Sequence, residues 1–162
     1  MELTINNKNL LDCFEEFDRL KKTNIAVGVS GGIDSMALLL LLNEWAKKYN
    51  SQIFAITVDH KLRKESTEEA NYVHSICEKF HINHTILSWN DEKSNSNIEA
   101  NAREARYGLI SHFCKENSIK YLCVAHHMED QAETFFIRLF RGSGIDGLSS
   151  MTKETDLFDL HI

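Results

Sequence analysis

Proline is missing from all 162 residues, and no function follows from that. Other absences exclude more. The four cysteines, Cys13, Cys77, Cys114 and Cys123, form no C-x-x-C pair and no zinc-like spacing. Each lies in or beside an apolar run, which reads as a small buried thiol in a reducing compartment. The apolar run from Met36 to Leu42 is far too short to span a bilayer, so no membrane partner is expected. Met1-Glu2-Leu3-Thr4 lacks a basic region followed by an apolar one, so no secretory signal is read and cytoplasmic residence is the expectation. An excess of positive charge is missing too. The net charge is −6 and the pI about 5.7, which excludes a protein that binds nucleic acid over its whole surface. Local basic clusters remain at Lys61, Arg63 and Lys64, at Arg103 and Arg106, and at Arg138 and Arg141. Lys64 reads as an ordinary solvated charge. Repeats and low-complexity segments are absent as well.

What is present is a globular composition, 43% hydrophobic and 26% charged, in a chain long enough for one domain with a core. Strand and helix patterns alternate. An amphipathic helix is read from about Asn9 to Lys22, with Leu10, Leu11, Phe14, Phe17 and Leu20 at helical spacing. Strands are read at about 25–30, 53–58, 84–89 and 121–125. Helices are read at 35–48, from a capping box at Ser66-Thr67-Glu68-Glu69 to about Phe80, from Ser96 and Glu99 to about Glu116, and from Glu129 to Phe140. The segment from Asp91 to Asn97 is polar and reads as a loop. Nearly continuous apolar strands alternating with helices imply an α/β fold, a parallel sheet with helices on both faces. Right-handed crossovers place every strand's C-terminal end on one edge, where ligands bind. The Ser30 loop, Asp59-His60 and His126-His127 are therefore expected to converge.

The densest signal is Ser30-Gly31-Gly32-Ile33-Asp34-Ser35, between the first strand and its helix. Glycines let backbone approach an anion, and the amides opening the helix point at it. Ser30 and Ser35 add hydroxyl donors. Asp34 is the odd member, since a carboxylate beside phosphate calls for a metal ion or an unusual hydrogen bond. No lysine follows the glycines, so this is no Walker A loop, and G-x-G-x-x-G is absent. The plain alternative is a glycine-containing turn with capping serines.

A second cluster runs His126-His127-Met128-Glu129-Asp130-Gln131-Ala132-Glu133-Thr134. Imidazoles at a strand end suit acid–base work or leaving-group stabilisation, while acids in a first helical turn also have a dull explanation in the helix dipole. Two histidines without a third ligand at a recognisable spacing make a poor zinc site. Arg103 and Arg106, three apart on one helix, project from one side and can grip phosphate or a base. Surface pairing with Glu99 and Glu104 is their plain alternative.

The Ser30–Ser35 loop resembles the pyrophosphate loop of the N-type ATP pyrophosphatases, or PP-loop superfamily. Four further segments follow it in order. They are Val58-Asp59-His60 with Leu62-Arg63, Ala102-Arg103 with Arg106-Tyr107, Ala125-His126-His127 with Asp130 to Thr134, and Arg141-Gly142-Ser143-Gly144. The set, spanning about Asn24 to Met151, resembles the N-terminal catalytic domain of the tRNA(Ile)-lysidine synthases. The resemblance implies a Rossmann-like fold of the adenine nucleotide alpha hydrolase type over residues 1–151, with 152–162 as an atypical tail. It implies ATP and Mg2+ as cofactors. L-lysine and the isoleucine tRNA with a CAU anticodon are the implied partners. Lysine is joined to C2 of the wobble cytidine through an adenylated tRNA, with release of pyrophosphate and AMP. By the same resemblance Ser30, Gly31, Gly32, Ile33, Asp34, Ser35, Val58 and His60 bind ATP. Asp34, Arg103, His126, His127 and Asp130 are the catalytic candidates, and Asp34 and Asp130 the magnesium candidates.

Two residues depart from the family pattern. Glu129 stands where aspartate is frequent, and Lys61 where glycine is common. The chain also stops at Ile162, short of the further domains with which such enzymes grip tRNA, so the expectation is weak or absent activity from this chain alone. The alternatives are a non-catalytic nucleotide-binding remnant and another PP-loop tRNA-modifying enzyme such as a thiolase. Many thiolases use paired cysteines or an iron–sulfur cluster, for which no cysteine pair is available.

Overall fold

Strand β1 (Asn24–Gly28) is the axis of the sheet. It pairs in parallel with β2 (Gln52–Asp59) on one side and with β4 (Tyr121–Val124) on the other. Strand β3 (Asn83–Ser88) pairs in parallel with β2 and forms one edge. Strand β6 (Leu160–His161) adds in parallel to β4, and β5 (Asp156–Leu157) runs antiparallel to β6. The sheet order is β3-β2-β1-β4-β6-β5. The computed structural model describes residues 18–59, 61, 64–89, 98–125, 156–157 and 160–162, with side chains from 105 onward in the helix Ile98–Glu116.

Both faces of the sheet are covered, for the reason the alternation in β1 supplies. Successive side chains on a strand point to opposite faces. Ile25 and Val27 join one buried cluster and Ala26 joins the other. On the first face lie α1 (Ile33–Tyr49), through Leu39, Leu42, Trp45 and Ala46, and α2 (Lys64–Lys79), through Val73 and Cys77. On the second lies α3 (Ile98–Glu116), through Tyr107, Ile110 and Cys114. Leu39 and Leu42 are fully buried; cutting either to Ala would cost about 2–5 kcal/mol.

Three local readings need correction. The helical pattern read from about Asn9 does not extend to Lys22: residues 9–17 lie outside the described residues, the described part is a 3-10 turn, Asp18–Leu20, and Lys22 has φ 60°. The carbonyl of Leu20 is taken by the Thr23 hydroxyl at 2.8 Å and the Ser51 hydroxyl at 2.9 Å, which ends the helical pattern there. Helix α2 opens at Lys64 rather than at Ser66, because Ser66 and Thr67 point back to Asp59 instead of capping the helix. The last segment of the chain, set apart as a tail by the sequence, supplies β5 and β6, and Leu160 is buried against the α3 face. The helix at 129–140 and the Arg141–Gly144 loop lie outside the described residues.

Candidate functional site

The strand order reverses at β1. From there the chain moves outward to β2 and β3, then returns to add β4 on the other side. Such a switch point, at the C-terminal strand ends, opens a crevice for ligands. The ends of β1 and β4 are in register there, Gly28 opposite Val124. The Ser30–Ser35 loop leaves the sheet at this point, and Val29 is still tied to β2 by its amide, 2.9 Å from the Ile56 carbonyl.

The loop is held by its own serines. The Ser35 hydroxyl donates to the Gly32 carbonyl at 2.9 Å and accepts the Ser30 amide at 3.2 Å. The two hydroxyl oxygens stand 3.3 Å apart, and the Gly32 amide reaches the Ser30 hydroxyl at 3.4 Å. Ser35 is buried by these bonds, so its role is to shape the loop from beneath. Gly31 sits at φ +88°, a conformation that favours glycine. A Cβ built there would stand 3.6 Å from Val73 Cγ2, 3.7 Å from Glu69 Cβ and 3.8 Å from the Glu69 carbonyl, so α2 walls the loop closely. Gly32 is different. It is the N-cap of α1 at φ −68° and ψ 156°, which any residue adopts, and among the described residues a Cβ would meet only the Ser30 hydroxyl at 3.5 Å. As a glycine, this N-cap supplies no side-chain cap to the first turn of α1. That end carries the positive pole of a 17-residue helix and suits an anion. Asp34 lies exposed in this first turn, and Ile33 beside it is 83% exposed.

The end of β2 forms the neighbouring wall. Asp59 is buried, yet it accepts three hydrogen bonds: the Lys61 amide at 2.9 Å and the Ser66 hydroxyl at 2.5 Å on Oδ1, and the Thr67 hydroxyl at 2.8 Å on Oδ2. Burial pushes this carboxyl upward. The Ser66 hydroxyl, the Lys61 amide, the Thr67 hydroxyl and the charge of Lys61 together outweigh it and hold the pKa below the ordinary value. Lys61 has φ 49°, the left-handed conformation, which gives a physical reason for glycine at that place. The sequence places Asp59 at the converging strand ends but assigns a binding role only to its neighbours Val58 and His60. The available signal was a carboxylate at a strand end followed by Ser66 and Thr67 at the start of the next helix. Val58 is half-buried and packs with the α3-side cluster.

The structure thus brings together Ser30 to Ser35 and the C-terminal end of β2 carrying Val58. Arg103 lies on α3 by its backbone, with Arg106 exposed one turn on. His60, His126, His127 and Asp130 lie outside the described residues. Among the described residues no group of three or more His, Cys, Asp or Glu side chains could hold a metal ion, and no helix is long and apolar enough to cross a membrane. Three of the cysteines are free thiols, and burial pushes Cys77, Cys114 and Cys123 up to about 11. Cys77 and Cys114 are moreover buried on opposite faces of the sheet.

Residues 2–162 match the PP-loop domain family. The tRNA(Ile)-lysidine synthase of Orientia tsutsugamushi is 44% identical over 150 residues, 93% of this chain and 34% of that protein. The tRNA(Ile)-lysidine synthase of Wolbachia pipientis wMel is 44% identical over 164 residues, 100% of this chain and 37% of that protein. The chain therefore spans about a third of the length of these curated relatives. Among solved structures it is similar to the U34-tRNA thiolase NcsA from Methanococcus maripaludis with its [4Fe-4S] cluster. The TM-score is 0.70 at 25% identity, over 78% of this chain and 45% of that one.

Proposed function

Since the chain belongs to the PP-loop domain family, we propose that it binds ATP on the Ser30–Ser35 loop and adenylates a tRNA base for attack by lysine. The observation that carries the reading is the left-handed turn at Gly31 leading into a helix whose N-cap, Gly32, supplies no side-chain cap, at the switch point of the sheet. The phosphates of ATP lie over the amides of this turn, and the fixed dipoles offset charge that builds up on the departing pyrophosphate. The likeness to two tRNA(Ile)-lysidine synthases across at least 93% of the chain supports the choice of substrate, the wobble cytidine of the isoleucine tRNA with a CAU anticodon.

Two displacements balance the reaction. The C2 oxygen of cytidine attacks the α-phosphorus of ATP, an O–P bond forms, the bridge to the β-phosphate breaks and pyrophosphate leaves. The lysine ε-amine then attacks C2, a C–N bond forms, and the C2–O bond breaks so that AMP departs with that oxygen. The amine loses its proton in the same step. His126, His127 and Arg103 are the proposed stabilisers of adenylation. Asp34, an exposed carboxylate in the first turn of α1, is the type of hard oxygen ligand that magnesium takes alongside phosphate oxygens and water, and Asp130 is proposed to assist it. When bound, magnesium would supply charge neutralisation at the phosphates.

The thiolase alternative draws support from the solved neighbour, but the described cysteines stand against it: Cys77 and Cys114 are held apart by the sheet, and their burial disfavours thiolate. Lysine-dependent release of AMP from ATP, with and without the tRNA, tests the reading, with mass spectrometry of the wobble cytidine as product assay. Asp34→Asn should leave stability within about 1 kcal/mol, the scale of a helix-dipole contact, while abolishing ATP turnover. Turnover near the wild-type rate in that variant would remove Asp34 from the chemistry.

A further inference from the structure

The geometry points to Asp59 as a positioning residue for the phosphate loop, acting through helix α2. This rests on the ATP-site reading above and adds a residue to it. The chain of contacts has three links. The Asp59 carboxylate, at the end of β2, binds the hydroxyls of Ser66 and Thr67 in the first turn of α2 and the Lys61 amide in the connection between them. About one turn further along α2 comes Glu69, and a further turn on comes Val73. These two stand 3.6–3.8 Å from where a Cβ on Gly31 would be, so the backbone of the loop at its left-handed residue rests on α2. Gly31 leads directly into the amides that open α1.

A buried carboxylate with three short donors is a poor choice for stability alone, because an apolar residue of similar size avoids its desolvation. What it provides is direction. Three donors from two segments converge on two oxygens, which fixes where α2 begins relative to the strand end. The left-handed Lys61 is held in place by the same carboxylate. Loss of Asp59 frees the start of α2 to shift, and the wall behind Gly31 shifts with it. The carboxylate touches no phosphate in this arrangement; it sets the distance between α2 and the loop.

The test compares Asp59→Ala, Asp59→Asn and Cys114→Ala with wild type in the 162-residue chain. Cys114 lies on the far face of the sheet, so its variant reports general destabilisation. Amide hydrogen exchange at Ser30 to Ser35 is read first, then magnesium–ATP affinity by calorimetry, each beside a melting curve. Asp59→Ala should speed exchange in the loop and weaken ATP about tenfold or more, on the scale of hydrogen bonds to a charged group. Asp59→Asn should recover most of both, because its carbonyl still accepts the Lys61 amide and a hydroxyl can turn to accept from its amide. Cys114→Ala should lower melting with loop exchange and affinity unchanged. Should Asp59→Ala fail to fold, Ser66→Ala with Thr67→Val removes two of the three bonds and carries the same expectation. Wild-type ATP binding with unchanged loop exchange and affinity in Asp59→Ala overturns the inference. So does an equal loss in Cys114→Ala at equal melting. Failure of the wild-type chain to bind ATP overturns the ATP-site reading itself.

Discussion

Two adjacent glycines in the loop have different reasons to be glycine. Gly31 is fixed by conformation, at φ +88°, and Gly32 is not, at φ −68°. Gly31→Ala should therefore lose about 1–2 kcal/mol of stability, the cost of a side chain in the left-handed region. Gly32→Val should melt near wild type and lose ATP binding, because on the proposed reading its bulk lies where backbone would approach phosphate. Denaturation and calorimetry on the two variants separate the effects, and a folded Gly32→Val protein with unchanged ATP affinity would refute the phosphate assignment. Lys61 makes the opposite case. It holds φ 49° with a Cβ that glycine would not carry. Lys61→Gly should gain about 0.5–1 kcal/mol, the relief of left-handed strain less the added freedom of the unfolded chain. A urea titration showing a clear loss instead would mean that the lysine side chain holds the turn more than its backbone strains it.

At the scale of elements, the sequence was most legible where one period ran without interruption. The apolar runs of β1 and β2 and the long α1 are where expected to within about two residues. Legibility failed at the start of α2, because Ser66 and Thr67 match a capping box by spacing but bond a carboxylate seven and eight residues back. Nothing local in the sequence distinguishes those two uses of a hydroxyl. It also failed on the contact between α2 and the edge strand β3. There His84 Nε2 meets the Thr57 hydroxyl at 3.0 Å, His84 Nδ1 meets His74 Nδ1 at 3.1 Å, and His74 Nε2 lies 3.7 Å from Glu78. Burial, with the neighbouring His74 second, pushes His84 from 6.5 down to about 4. Between those values the unfolded chain takes up a proton that the folded chain refuses, so stability falls as pH drops from about 6.5 to about 4. Asp59, depressed below 3.8, adds a second loss only at still lower pH, as pH falls through its folded value. His84→Gln should flatten the upper part of this acid limb and leave the lower part. Denaturant midpoints measured from pH 7 to pH 3 would show it, and an unaltered slope above pH 4 in the variant would assign the proton to another group.

For the whole molecule, alternation of strands and helices was enough to predict a parallel sheet covered on both faces, and with it the edge where the Ser30 loop emerges. Long-range placement was less legible. That β6 would pair with β4 beyond the switch point follows from contacts such as the His161 amide on the Lys120 carbonyl, 3.1 Å, which no periodicity announces. Charge acts at this scale too. The total of −6 sets a repulsive background for any polyanion, against which Arg103 and Arg106, both on the backbone of α3, are the proposed phosphate contacts. Binding of the proposed tRNA partner by this chain should therefore rest on few phosphate contacts. Each contact contributes about 0.7–0.9 to the slope of log affinity against log salt, so two arginines predict a slope of about −1.5. Filter binding between about 50 and 200 mM salt measures it, with Arg106→Ala expected to lower the slope by nearly one contact. A slope steeper than about −4 would require a basic surface larger than these two arginines supply.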